Sequence, residues 1–318
     1  MLISRELDLQ IGSFTQGQVT TDDGVQLLYQ SFGQGPAIVW ANGIGARYPA
    51  AMKQIAALRE TYQVICWDYR GMGQSVMPDP AKGDVALPRQ ARDSIAILDH
   101  LQIEEALFIG WSMGVPVALE VVRQAPERVA GLVALLGACG RPFHQAFPAP
   151  VPGAIGKFFS FIKQQPAVGQ AALNLAVRMP NLTFQVLSLV RFLGPETDRE
   201  ILAANVRALA GVEKALHART MLALAEHDAT DLLPQVRCPA LIIAGGRDYL
   251  TPPRTGQQMA AAIPHAMYKE MPRGTHFALI EQPALINTWL LEFAQQVYSG
   301  ARPKGLPDCS HAASVGNS

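Results

Sequence analysis

The sequence predicts an α/β fold: a mostly parallel β-sheet with helices on both faces, interrupted by an all-helical insertion. Three observations carry this prediction. Apolar runs of strand length alternate with amphipathic helical stretches through residues 1–140 and again through 233–300. Between them, residues 141–232 contain helical patterns and no convincing strand. Ser112, with glycines two residues before and two residues after it, occupies the turn between one apolar run and the helical pattern that follows it.

The first part of the core, residues 1–140, begins with strands. The runs at 37–41 and 63–67 are continuously apolar, which is typical of strands covered on both faces. Pro49 fits the first turn of a helix. The predicted strands span 25–32, 37–41, 63–67, 106–109 and 131–136, with a short strand before Thr20, and the predicted helices span about 49–60, 88–101 and 115–124.

The insertion, residues 141–232, is punctuated by prolines, and we expect it to form a lid over one edge of the sheet. Strand and helix alternation then resumes in residues 233–300. The tail 301–318 is polar and rich in small residues, so we expect it to be disordered. Insertion helices are predicted at about 155–163, 167–178, 183–192, 200–210 and 212–225, later strands at 240–244 and 267–270, and a closing helix at about 283–297.

Length and charge narrow the functional classes. The 318 residues are 49% hydrophobic, enough for one large α/β domain with an insertion, or for two domains. The 26 basic and 26 acidic side chains cancel and form no basic stripe, which argues against a nucleic-acid partner. No apolar run reaches the length of a membrane span, and the first residues lack a signal-peptide pattern. We therefore expect a cytoplasmic protein that acts on a small molecule.

Neither cysteines nor histidines follow a metal-binding pattern. The four cysteines are scattered without a C-x-x-C pair, so neither a zinc site nor a disulfide framework is indicated. The histidines of the insertion lack metal-ligand spacing, and the pairs Gly43-x-Gly45 and Gly71-x-Gly73 lack the third glycine of a dinucleotide fingerprint. The sequence thus predicts neither a metal nor an organic cofactor.

The segment Gly110-Trp111-Ser112-Met113-Gly114 has the G-x-S-x-G pattern of a nucleophile elbow. In such a turn the serine projects above the strand end, and the glycines allow neighbouring backbone to approach. The N–H of Met113, at the start of a helix, would point at an oxyanion formed at the serine. The alternative is an ordinary strand-to-helix turn in which Ser112 caps the helix.

Two later loops offer partners for Ser112. Asp248 follows the predicted strand 240–244, and His276 follows the strand 267–270. Because the C-terminal ends of parallel strands share one sheet edge, both loops should open beside the serine. A serine nucleophile needs a base, and that base needs an orienting carboxylate, so these residues predict a triad. Taken alone, Asp248 would fit a turn former better than a catalytic residue, and His276 could be a hydrogen-bonded loop histidine.

Together, these features resemble an α/β-hydrolase of the lidded type, over about residues 19–297. This group includes esterases, C–C bond hydrolases, enol-lactonases and cofactor-free haloperoxidases. The matching segments are Asn42-Gly43-Ile44-Gly45, Asp68 to Ser75, the Ser112 elbow, and the Asp248 and His276 loops. The resemblance implies that the backbone N–H of Ile44 joins that of Met113 in an oxyanion hole. One departure is Asn42, where many relatives have histidine; it is expected to alter how the loop is held or to touch the substrate.

The resemblance implies a serine hydrolase that cleaves a carboxylic ester or related acyl bond of an apolar small molecule through an acyl-enzyme. Two alternatives stay open: C–C hydrolysis or lactone opening with the same triad, and a small-molecule receptor on a hydrolase scaffold. Asn42, Trp111 and Phe158 are the substrate-pocket candidates. The dense aromatics around Phe158 fit either packing within the lid or an apolar wall over the site. The oligomeric state is open.

Overall fold

The computed structural model describes residues 11–189 and 192–300. Their strands form one eight-stranded sheet in the spatial order β1-β2-β4-β3-β5-β6-β7-β8. Strands β3 to β8 run parallel, whereas β2 is antiparallel to both neighbours, β1 and β4. The strands are β1 Thr15–Thr20, β2 Gln26–Phe32, β3 Ala37–Ala41, β4 Gln63–Trp67, β5 Ala106–Trp111, β6 Val129–Leu135, β7 Ala240–Gly245 and β8 Met267–Met271.

Twelve α-helices connect and cover these strands in the described part of the chain. They are α1 Met52–Leu58, α2 Leu87–His100, α3 Gly114–Gln124, α4 Pro142–Ala146, α5 Val151–Gln164, α6 Pro166–Arg178, α7 Pro180–Leu189, α8 Arg199–Gly211, α9 Lys214–Glu226, α10 Pro253–Ala262, α11 Ala278–Glu281 and α12 Pro283–Tyr298. None of them is both long and apolar enough to cross a membrane.

The sheet is buried on both faces, which explains its continuous apolar strands. Every residue of β3, β5 and β7 is buried. Helices α2, α3 and α10 contribute to one apolar cluster, and α1 and α12 contribute to a second cluster. Side chains that alternate along β3 divide between these clusters, as expected for a strand with two covered faces. The prediction of a mostly parallel sheet with helices on both faces is therefore confirmed.

The helical insertion between β6 and β7 has two layers. Helices α8 and α9 bury apolar side chains against the sheet clusters, and we call them the inner helices. Helices α5, α6 and α7 bury a single side chain, Ile162, and we call them the outer helices. All five predicted insertion helices are present with shifted ends. The domain boundaries and the lid role stay predictions.

One predicted element differs in form. The helix expected over about residues 49–60 is a 3₁₀ turn at Tyr48–Ala51 followed by α1, which ends at Leu58. The chain turns there because the N–H of Tyr62 donates to the carbonyl oxygen of Leu58, and β4 begins directly afterwards. The predicted disordered tail, 301–318, lies outside the described residues.

Candidate active site

Ser112 lies at the apex of the turn between β5 and α3. Its φ of 55° is in the left-handed region, which a non-glycine residue adopts only at an energetic cost. The flanking glycines permit this turn: a Cβ on Gly110 would lie 2.3 Å from the carbonyl oxygen of Gly114, and a Cβ on Gly114 would lie 2.0 Å from that of Ala41. The backbone thus holds Ser112, half-buried, at the end of the strand.

His276 lies between Ser112 and Asp248. Its Nε2 is 2.9 Å from the Oγ of Ser112, and its Nδ1 is 2.8 Å from the Oδ2 of Asp248. The imidazole is 6% exposed and the aspartate 2%. The structure therefore brings together the three residues that the sequence analysis selected, in one hydrogen-bonded chain from hydroxyl to carboxylate.

Asp248 is held by its own loop as well as by His276. Its Oδ1 accepts hydrogen bonds from the backbone N–H groups of Leu250 and Thr251, at 2.8 and 3.0 Å. Its Oδ2 accepts from the hydroxyl of Thr251 at 2.7 Å. Because both oxygens have partners, the carboxylate has little freedom to turn away from the imidazole.

The loops that carry Asp248 and His276 pack directly on each other. The N–H of Arg247 donates to the carbonyl oxygen of Gly274 at 2.9 Å. A Cβ on Gly246 would lie 2.7 Å from the carbonyl oxygen of Pro272, so a larger residue there would push the two loops apart. The glycines after β7 thus permit the short distance between carboxylate and imidazole.

The two predicted oxyanion donors, the backbone N–H groups of Ile44 and Met113, belong to two segments that pack together at Ser112. Met113 directly precedes α3. Gly43 brings the Ile44 loop against the turn, since a Cβ there would lie 3.4 Å from the Cβ of Ser112. Within the described residues, neither N–H has a hydrogen-bond acceptor. Both are therefore free to donate to an oxygen beside Ser112, and their oxyanion role stays a prediction.

Asn42 is buried beneath this loop and is 1% exposed. Its Oδ1 accepts from the indole N–H of Trp40 at 3.1 Å, and its backbone carbonyl oxygen accepts from the hydroxyl of Tyr69 at 2.7 Å. Its Nδ2 has no partner among the described residues. These contacts support the expectation that Asn42 fixes the loop, and leave contact with substrate as a prediction.

The other two pocket candidates lie in different surroundings. Trp111 is 4% exposed and donates its indole N–H to the backbone carbonyl oxygen of His276 at 3.3 Å. It therefore supports the histidine loop from below. Phe158 is 56% exposed on α5, where its ring contacts that of Phe159. Among the described contacts, none joins Phe158 to the Ser112–His276–Asp248 chain, so its pocket role stays a prediction.

Two residues at this site were missed by the sequence analysis. Phe192 packs its ring near His276, with centroids 6.5 Å apart. The buried carboxylate of Glu281 accepts from the N–H and hydroxyl of Thr275, next to His276, and from the N–H of Gly194 and the hydroxyl of Thr197, just before α8 in the insertion. Glu281 thus ties the insertion to the histidine loop. A lone acid within an apolar helix was the only signal for it.

The inner helices reach the Ile44 loop. A Cβ on Gly45 would lie 2.5 Å from the Cδ1 of Leu209 on α8 and 3.6 Å from the Cε1 of His217 on α9. Burial, reinforced by the nearby cation of Lys214, lowers the pKa of His217 to about 4. His217 is therefore a neutral imidazole at pH 7, placed beside the backbone that carries Ile44.

The described part of the chain has no group of three or more His, Cys, Asp or Glu side chains arranged to hold a metal ion. The predicted independence from metals and organic cofactors stays a prediction that a chelator experiment would test.

Comparisons with known proteins identify the family of the chain. The sequence profile of the alpha/beta hydrolase fold matches residues 36–283. The chain is 32% identical over 273 residues to 3-oxoadipate enol-lactonase 2 of Acinetobacter baylyi, which covers 84% of this chain and 92% of that protein.

Solved structures give the same result. One of them is Est816, described as an N-acyl homoserine lactone degrading enzyme. It is 26% identical to this chain with a TM-score of 0.67, and the match covers 87% of this chain and 100% of that one. An esterase from Exiguobacterium antarcticum is 19% identical with a TM-score of 0.75, covering 88% of this chain and 100% of that one, and it supports the fold alone. With most of its length matched, this chain belongs to the α/β-hydrolase family and is a hydrolase.

Proposed function

We propose that this hydrolase cleaves a carboxylic ester bond through a covalent acyl-serine intermediate. The observation that carries the proposal is the hydrogen-bonded chain from Ser112 through His276 to Asp248, with both distances below 3 Å. In this arrangement one imidazole contacts a hydroxyl on one side and a fixed carboxylate on the other, as nucleophilic acyl transfer requires.

In the proposed reaction, the Oγ of Ser112 attacks the ester carbonyl carbon while His276 Nε2 takes the hydroxyl proton. The negative charge that forms on the carbonyl oxygen is stabilised by the N–H groups of Ile44 and Met113. His276 then gives its proton to the departing alkoxide, which leaves as the alcohol. Water attacks the acyl-serine with His276 again as base, and the carboxylic acid and free serine result. Asp248 orients the imidazole and stabilises its cationic form throughout.

The surroundings of Ser112 support an apolar substrate. Phe192 packs beside His276, and Leu209 packs beside the Ile44 loop. Of the three arginines that could pair with an anionic substrate, Arg47, Arg141 and Arg178, the first two already have partners. Arg47 pairs with Asp68 at 2.9 Å, and Arg141 pairs with Asp228 at 3.5 Å. The predicted cytoplasmic location and the lid role of the insertion belong to this proposal as well.

Opening of a cyclic ester is the second candidate. It is favoured by the names of two relatives, an enol-lactonase at 32% identity and an N-acyl homoserine lactone degrading enzyme at 26%. The same serine, base and oxyanion donors would open a lactone, with the leaving alcohol still attached to the acyl group. The two candidates therefore share their chemistry and differ in the shape of the pocket.

A substrate panel tests both candidates. The full chain is assayed against p-nitrophenyl esters of rising acyl length, N-acyl homoserine lactones, other five-membered lactones and vinylogous diketones. The variant Ser112→Ala is the blank and should lower kcat by at least about 10³-fold without loss of folding. Retained activity in folded Ser112→Ala protein would refute the nucleophile. Preferred turnover of diketones would favour C–C hydrolysis, and ligand binding without turnover of any panel member would favour a receptor.

A further inference from the structure

Exposed apolar side chains are concentrated on the outer helices. Of the twelve large hydrophobic residues that are exposed in the described part of the chain, nine belong to α5–α7 or the residue between α6 and α7. Single exposed apolar residues are ordinary on a protein surface, whereas a concentration of this kind marks an interaction site. The nine are Val151, Phe158, Phe161, Val168, Leu175, Met179, Leu182, Val186 and Leu189.

These residues recur at helical spacing. On α6 and its end, Val168, Leu175 and Met179 follow one another at seven and four positions. On α7, Leu182, Val186 and Leu189 follow at four and three. Such spacing places the members of each set on one side of their helix. Each helix therefore presents an apolar stripe to solvent in addition to the side that packs on its neighbours.

The charges on the same helices are all positive. The sequence has no aspartate or glutamate between Glu127 and Glu196. Lys157, Lys163 and Arg178 are exposed. None of the three forms an ion pair within the described residues. We define the outer face as the nine apolar residues together with these three cations.

A groove adjoining the outer face has the same character. It is bordered by α6, α7 and α8, and contains Arg199 and Arg207 beside apolar side chains, with no acidic residue in its lining. The guanidinium of Arg199 lies over the ring of Phe184, 4.1 Å from its centroid. Apolar surface therefore continues from the outer helices to the edge of the inner layer, next to cations that form no ion pair within the described residues.

We propose that the outer face binds an anionic lipid surface. Amphipathic helices with cationic and apolar exposed residues lie in the headgroup region of bilayers, with apolar side chains inserted and cations at the phosphates. A second copy of the chain fits less well. A two-fold interface would place the same face against itself, bringing cations together with no carboxylate on either side. The anionic lipid surface supplies both the apolar phase and the missing negative charge.

Membrane-surface binding is independent of the proposed esterase reaction, because the outer face contains none of the residues assigned to the chemistry. Docking would instead decide where the hydrolase meets its substrate. The outer helices pack on α8 and α9, which adjoin the Ile44 loop, so an apolar substrate dissolved in the bilayer would be presented beside the insertion.

The experiment is flotation of the full chain with phosphatidylcholine vesicles, with and without phosphatidylglycerol. We expect binding to the anionic vesicles and its loss at about 1 M salt, where the Debye length falls to about 3 Å. The charge-reversal variant Lys157→Glu/Lys163→Glu/Arg178→Glu should lower the partition coefficient by at least about 100-fold, since each lost cation contributes about fivefold and each new carboxylate is repelled. The matched control Lys82→Glu/Arg237→Glu/Lys269→Glu changes net charge equally and should bind like the unaltered chain.

A second variant tests the apolar residues of the outer face. Phe161→Ser/Leu175→Ser/Val186→Ser should also abolish binding, whereas Val76→Ser/Leu285→Ser, at exposed apolar positions elsewhere, should not. Activity towards a water-soluble p-nitrophenyl ester reports that each variant is folded. Failure of the unaltered chain to float, or equal flotation with neutral vesicles, would overturn the proposal. A concentration-dependent dimer that dissociates in the triple apolar-to-serine variant would also overturn the proposal, because the outer face would then join two copies of the chain.

Discussion

The inner and outer helices belong to one insertion in the chain, yet they differ in burial and in polar contacts. The inner helices α8 and α9 bury side chains such as Leu202 and Leu216 in the two clusters that flank the sheet. The outer helices α5, α6 and α7 together bury only Ile162. The difference indicates that the inner layer is part of the enzyme core, whereas the outer layer is held mainly through its contacts with the inner one.

Polar contacts differ in the same direction between the sheet edge and the outer helices. At the sheet edge, Asp248 and Glu281 each accept hydrogen bonds at both carboxylate oxygens. On the outer helices, Lys157 and Arg178 are exposed and form no ion pair within the described residues. Substitutions should therefore have large effects on rate and stability at the edge and inner layer, and small effects on the outer layer.

The largest expected effect is at the sheet edge. Asp248→Asn should lower kcat by roughly 10³–10⁴-fold while the protein stays folded, because an amide holds the imidazole in the wrong tautomer. Single-turnover and steady-state rates with a p-nitrophenyl ester measure it. Asn174→Asp makes the opposite exchange on exposed α6 and should leave kcat unchanged. A near-normal rate for Asp248→Asn would mean that another acid orients His276.

The sequence predicted the strands and the loops at the sheet edge better than it predicted the division of the insertion into inner and outer helices. Strands β3 and β4 were predicted with their observed ends, because continuous apolar runs bounded by turn residues have few alternatives. Ser112, Asp248 and His276 were expected to lie together because parallel strands bring their C-terminal loops to one edge, and the structure places them in one hydrogen-bonded chain. Phe192 and Glu281 were missed because their positions depend on contacts between distant segments. Helical periodicity shows which residues form an apolar stripe on a helix, but not whether another part of the chain packs on that stripe. The exposure of Phe158 could therefore not be predicted.

A pair of leucine truncations tests the division of the insertion directly. Leu216 on α9 is fully buried, and Leu175 on α6 is 57% exposed. Leu216→Ala should lower the free energy of unfolding by about 2–5 kcal/mol, because it leaves a cavity against the sheet cluster. Leu175→Ala should change it by less than about 0.5 kcal/mol. Urea unfolding of both variants measures the difference, and equal losses would mean that the two layers form one core.

The buried imidazole of the inner layer should make stability depend on pH. The folded pKa of His217 is lowered to about 4, so between about pH 6.5 and 4 the unfolded chain binds more protons than the folded one. Stability should be complete above that range and fall by up to about 3 kcal/mol as the pH drops through it. His217→Leu should reduce the slope of unfolding free energy against pH, whereas His144→Leu, at an exposed position on α4, should leave it as it is. An unchanged slope in His217→Leu would show that the imidazole is hydrated in the folded protein.

The smallest expected effect concerns which layer contacts the acyl group. If apolar residues of the inner layer border the site, each added CH₂ should contribute about 0.8 kcal/mol until the pocket is full. Three added CH₂ groups should then raise kcat/KM by roughly 10–60-fold, provided that the burial is realised in the transition state. Phe192 and Leu209 have the described contacts beside His276 and the Ile44 loop. Phe192→Ala and Leu209→Ser should therefore flatten the plot of log(kcat/KM) against acyl length from C2 to C8.

Phe158→Ala is the matched variant of the outer layer. It tests whether Phe158 lines the substrate pocket, as the sequence predicted, or lies on an outer layer that does not contact the substrate. With its ring 56% exposed, we expect its removal to leave the slope unchanged. A slope that flattens only in Phe158→Ala would mean that α5 moves over Ser112 when substrate binds, and the outer layer would then belong to the pocket. A flat slope in the unaltered enzyme would instead reject the apolar pocket. A preference for carboxylate-bearing substrates would point to Arg47, Arg141 and Arg178 as anion partners, and the first two would have to leave their present partners.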